Sequence, residues 1–126
     1  MDFTLRKYKV LLAALNSTGH VFQRFDEFIE NPTERSIILR HDVDARNLNS
    51  LAFARLQSEL GIPGTYYFRI VEGSYDVRIM KEIFDMGHEI GYHYEDMDLA
   101  KGDMRLAVEL FEGNLEVLRR VVPVKT

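Results

Sequence analysis

Asp42 and Asp44 stand one residue apart just after the apolar run Ile37-Ile38-Leu39, with His41 beside the first. A second group, His93 followed by Glu95, Asp96 and Asp98, comes after the mixed apolar stretch Ile90-Gly91-Tyr92. Carboxylates with an imidazole close by suit a divalent metal, or a general base held next to one. Taken alone, Asp-x-Asp is also common in solvated turns, because Asp side chains bond their own backbone there. The decision rests on where the flanking elements put these groups.

Residues 36–39 are too short for a helix and continuous in apolar character, so they predict a buried strand with Asp42 and Asp44 on the loop leaving it. Asn47 or Asn49 then caps a helix running to Leu60, with Leu48, Ala52, Leu56 and Leu60 at four-residue steps and Gly61-Ile62-Pro63-Gly64 as its stop. Residues 65–70, aromatic and β-branched, predict a second strand ending near Arg69. Ser74 or Asp76 caps the next helix, which presents Val77, Met80, Ile83 and Phe84 inward and stops at Gly87. Residues 88–94 form a third strand and 95–98 an acidic loop leaving it. Met104, Val108, Phe111, Leu115 and Leu118 mark a last helix, halted by Pro123. Ahead of all this, residues 1–34 read as a helical leader packed on the rest. Tyr8, Leu11, Leu12 and Leu15 share one face of a helix over 4–16, Val21-Phe22 is a short extended piece, and 25–29 is another turn or two of helix.

Strand–helix alternation with crossovers of this length predicts parallel pairing in a single α/β domain over 1–126. Right-handed crossovers then bring every strand's carboxyl end to one side of the sheet, where such folds place ligands. Asp42, Asp44, Arg69 and His93 are expected to converge on that mouth, with Glu95, Asp96 and Asp98 just beyond. His88 opens its strand at the opposite end and reads as a hydrogen-bonded structural residue. His41 either supports the site from behind or packs in the core, and His20 is loop-bound and exposed.

Composition removes several classes. A hydrophobic content of 46% over 126 residues suffices for one ordinary core, and a net charge of −4 argues against a general nucleic-acid binder. With no cysteine, disulfides, thiol catalysis and cysteine-based zinc sites are out, and a reducing compartment is compatible. The longest apolar run, residues 10–15, is far short of the ~20 residues that span a bilayer, and the first residues lack a signal peptide's apolar region. A soluble, cytoplasmic protein without membrane partners is expected.

Arg40-His41-Asp42-Val43-Asp44, together with Gly87-His88-Glu89-Ile90-Gly91-Tyr92-His93, resembles the polysaccharide deacetylase family (NodB-homology domains, carbohydrate esterase family four) over roughly residues 36–126. The resemblance implies an irregular (β/α) barrel and hydrolysis of N-acetyl groups, or other non-peptide C–N bonds, on carbohydrates and related small molecules. It implies Asp42 as the base, and His93 and Asp44 as ligands of a divalent metal, usually zinc. Such a metal polarises the acyl carbonyl and acidifies a bound water, whose proton the carboxylate takes. Arg69 and Tyr94 are the substrate-binding candidates. The family's first motif has adjacent aspartates, which Val43 separates here, and its second metal-binding histidine falls at Met97. Glu95, Asp96 or Asp98 is left to complete the ligand set. The family's later motifs lie on strands beyond the third. The expectation is therefore a partial (β/α) barrel, the amino-terminal half, that self-associates or takes a complementing chain.

Two other readings stand beside this one. One is a non-catalytic remnant that keeps the sheet without the chemistry. The other is a phosphatase of the haloacid-dehalogenase type, in which Asp-x-Asp supplies nucleophile and acid. That scheme continues into Gly-Thr, whereas Ala45-Arg46 follow Asp44 here and His93 has no role in it.

Overall fold

In the computed structural model, which describes residues 4–43, 46–71, 73–94 and 101–125, three short parallel strands form the main sheet. The elements run α1 (Leu5–Asn16), β1 (Val21–Phe22), α2 (Phe25–Glu30), β2 (Ser36–Ile37), β3 (Arg40–Val43), α3 (Asn47–Glu59), β4 (Thr65–Phe68), α4 (Val77–Asp85), β5 (Glu89–Tyr92) and α5 (Met104–Arg119). The main sheet has the order β3-β4-β5, all parallel, with Asp42 opposite Tyr67 and Tyr67 opposite Gly91. β1 and β2 form a separate parallel pair.

The single strand expected over 36–39 is divided. Ser36 and Ile37 pair with Val21 and Phe22, whereas Arg40–Val43 joins the main sheet. Leu39 bridges the two, packing against Tyr8, Leu12 and Ile62 while its carbonyl accepts from the Thr65 amide at 2.9 Å. Asp42 therefore lies on a strand rather than on the loop after it. Pairing of this kind is decided by the partner strand, which local apolar runs do not reveal.

Helix faces differ in a similar way. α3 begins without a side-chain cap, on Arg46, and buries Leu51, Ala54 and Gln57, while Leu48 is 69% exposed. At α4, Asp76 is the cap, accepting from the Ile79 amide at 3.0 Å. Ser74 instead ties two strand ends together, accepting from the Arg69 amide and donating to the Val43 carbonyl. The buried face of α4 is Ile79, Met80 and Ile83. α5 buries Ala107 and Leu118, half-buries Phe111 and Leu115 against the core, and leaves Met104 65% exposed.

Side chains alternate across a strand, and here the two faces have separate fates. Val43, Tyr66, Phe68, Ile90 and Tyr92 turn toward the helices and form the core with Leu51, Ala54, Ile79, Met80, Ile83 and Leu118. His41 belongs to this side. Its ring stacks on Tyr66 at 4.5 Å, and its Nε2 meets the Tyr8 hydroxyl at 2.8 Å. The Tyr66 hydroxyl in turn donates to Oε1 of the fully buried Gln57. Gly64 passes close to this amide: a Cβ there would stand 2.8 Å from Gln57 Nε2 and would require the amide to shift. His88 is held as a neutral ring: Nδ1 accepts from the Gly64 amide at 3.0 Å, so Nε2 carries the proton and donates to the Ala54 carbonyl at 2.9 Å.

These two imidazoles give the fold an acid limit. Burial pushes the His41 pKa down to about 4, helped by nearby His88 and opposed by Asp42. Burial likewise lowers that of His88, against the Ala54 bond and with Arg24 adding to the fall. The unfolded chain takes up both protons near pH ~6.5, which the folded chain resists. Stability is thus fully present above that pH and falls below it, by at most ~1.4 kcal/mol per pH unit for each group, with the His41 share lost down to about pH 4. Urea unfolding at pH 7 and pH 5 should show this loss, and His41→Phe should make it shallower. An equal slope in the variant would remove His41 as its source.

Candidate active site

The opposite face of the sheet is polar. Arg40 and Asp42 alternate with His41 and Val43 along β3, and the register sets Tyr67 beside Asp42. The Arg40 guanidinium lies 4.3 Å from the centroid of the Tyr67 ring while its Nε donates to Asp42 Oδ1 at 2.8 Å. Asp42 Oδ2 is left facing His93, with Nε2 at 3.7 Å. His93 follows β5, its position fixed by its amide bonding the Phe68 carbonyl at 2.9 Å. Its Nδ1 is buried and has no hydrogen-bond partner among the described residues. A ring nitrogen in that state carries a desolvation cost that a ligand would relieve.

The amino-terminal end of this face is closed. Glu89 Oε1 accepts from the Thr65 hydroxyl at 2.9 Å and from the Asp26 amide at 3.0 Å, and Thr65 Oγ1 accepts from the Phe25 amide at 3.0 Å. Two of the free N–H groups that begin α2 are thereby satisfied by the sheet. Arg24 adds a bond to the Gly87 carbonyl at 3.2 Å. Beside this closed part the face opens on a cavity of about 520 Å³, lined from Phe25 and Arg40 across to His93 and Tyr94. Arg40, Tyr67, His93, Tyr94, Phe111 and Arg119 are among its lining residues. Arg119 reaches it from the last turn of α5, with its Nε bonded to the Val124 carbonyl at 3.0 Å.

Among the residues nominated from sequence, Asp42 and His93 meet on the polar face, and Tyr94 lines the cavity with its ring edge-on to Phe111 at 5.5 Å between centroids. Arg69 follows β4 but is not among the residues lining the cavity, whose arginines are Arg40 and Arg119. Asp44, Glu95 and Asp96, with Met97 and Asp98, lie outside the described residues. Among those that are described, no three His, Asp or Glu side chains form a group able to hold a metal ion. Arg40 and Tyr67 were not singled out from sequence. Extending the strand through Asp42 would have found both, one by alternation and the other by register. Arg119 had no local signal, since its place depends on how α5 returns to the sheet.

No helix among the described residues is long and apolar enough to cross a membrane. Comparison with family models, curated proteins and solved structures finds no match for this chain.

The closed end of the face is where stability is most exposed to substitution. Glu89→Ala strands buried donors from Asp26 and Thr65 and should cost about 2–4 kcal/mol, with Glu89→Gln costing less because it keeps an acceptor. Urea unfolding of both variants checks this, and indistinguishable midpoints for Glu89→Ala and the unaltered chain would refute it.

Proposed function

We propose that this chain is a metal-dependent hydrolase of non-peptide C–N bonds, deacetylase-like, acting on an N-acylated carbohydrate or related small molecule. The supporting observation is that Asp42 on β3 and His93 just past β5 stand 3.7 Å apart beside a cavity on the polar face of a parallel sheet. The motif resemblance assigns roles to these same two residues. The donor chemistry fits zinc, which takes imidazole nitrogen and carboxylate oxygen, and the buried, unpartnered His93 Nδ1 is an orphaned donor atom of the required kind. His93 and Asp44 would hold the ion, with Glu95 or Asp96 completing the set. When bound, it would polarise the acyl carbonyl and acidify a water. Asp42 is the proton acceptor. Arg40 fixes one of its oxygens at 2.8 Å, which leaves Oδ2 directed toward His93. The Tyr67, Tyr94 and Phe111 rings provide aromatic walls for the cavity.

A second reading is a half-site completed by another chain. It is favoured by Met104, Leu106 and Val108, apolar side chains that α5 leaves at 65, 40 and 49% exposure.

Zinc-loaded protein, dialysed and assayed for metal and for acetate release from N-acetylated sugars, tests the hydrolase reading. The unaltered chain should retain zinc and His93→Ala should lose it. Asp42→Asn should keep the metal and lose about 10²–10⁴-fold in rate, the usual contribution of a general base. Unchanged zinc content in His93→Ala would end the assignment.

A further inference from the structure

We infer that the cavity beside His93 selects an anionic substrate, an N-acylated sugar carrying a carboxylate or phosphate, with Arg119 as the residue that recognises the charge. This rests on the hydrolase reading for the acylated sugar, whereas the preference for an anion comes from the cavity itself. Its described lining includes Arg40, Arg119 and Lys125 and no carboxylate, in a chain whose net charge is −4. A cation without an ion pair on an acidic protein attracts anions locally against the overall field.

The three cations are not equivalent. Lys125 lies 3.7 Å from Glu30 and 4.0 Å from Asp26, so its charge is offset by α2. Arg40 is engaged with Asp42 and with the Tyr67 ring. Arg119 has no ion pair among the described residues, and its one bond there, through Nε to a carbonyl, holds the side chain without neutralising it. The planar guanidinium keeps its remaining donors for a carboxylate or phosphate, which it matches in a bidentate fork. Around it, Tyr67, Tyr94 and Phe111 supply aromatic surface of the kind that packs on the C–H face of a pyranose. At about 520 Å³ the recess is of ordinary size for a small-molecule site.

The test is titration of the full chain, followed by amide NMR shifts, with four probes. These are N-acetylglucosamine, its 6-phosphate, N-acetylglucosaminuronic acid, and inorganic phosphate. An anionic sugar should bind about tenfold tighter than the neutral one, in keeping with one charge-assisted pair. Arg119→Gln should bring that affinity down to the neutral level, and Arg119→Lys should restore part of it. The phosphate and uronate arms show which anion the site prefers. Equal or tighter binding of the neutral sugar, no effect of Arg119→Gln, no binding of any sugar, or inorganic phosphate binding as tightly as the sugar phosphate would each overturn the inference. Binding that follows Arg119 while no acetate is released and His93→Ala keeps its zinc would remove the hydrolase reading and leave the anion site. Acetate release from neutral sugars alone would do the reverse.

Discussion

Alternation of side chains along three strands in one shared register is the constraint on which this molecule depends. Because β3, β4 and β5 are parallel and paired residue for residue, every second side chain on each strand joins the same layer. His41, Tyr66 and Ile90 form a row on the helical side, while Asp42, Tyr67 and Gly91 form a row on the polar side. Core and candidate site are thus two readings of one backbone arrangement. Neither layer can shift without the other, since the same hydrogen-bonded ladder sets both.

Within the polar layer, stability and chemistry fall to different pairs of side chains. At the amino end Glu89, only 5% exposed, takes bonds from Thr65 and from the first turn of α2, a buried arrangement that fixes how the leading segment sits on the sheet. Arg40, level with Thr65 and Glu89 in the register, pairs instead with Asp42. That pair is largely open to solvent, with side-chain exposures of 57 and 41%, and such pairs contribute little to folding, about 0–1 kcal/mol. Its importance is directional, because it orients one carboxylate oxygen and leaves the other toward His93. Groups free of structural duty are the ones available for reaction.

The strand–helix alternation, the roles of Gly87 and Asp76, and the structural character of His88 could all be read from local residue types, since each depends on neighbours a few positions away. The division of 36–43 into two strands could not. It depends on Val21-Phe22 pairing with Ser36-Ile37, a partnership some fifteen residues away in the chain. That division moved Asp42 from a loop to a strand and, through alternation, brought Arg40 into the site. Leu48, at helical spacing with Leu56, still turns outward, because the sheet contacts α3 along Leu51, Ala54 and Gln57 instead. The meeting of Asp42 with His93 was legible because strand direction alone places both at one edge. Arg119 was not, because its contribution follows from tertiary packing of α5.

The break between β2 and β3 has a consequence for how this sequence can drift. Ser36-Ile37 and Arg40–Val43 belong to separate sheets, so their registers are set independently. An added or lost residue at Ile38, ahead of the Leu39 carbonyl that anchors Thr65, alters a connector and leaves both ladders in step. The same change inside Arg40–Val43 would trade His41 for Asp42 between the layers, burying a carboxylate against Tyr66 and putting an imidazole beside Tyr67. A change of length ahead of Leu39 falls between the ladders, whereas one after it turns every following side chain of the strand to the other face.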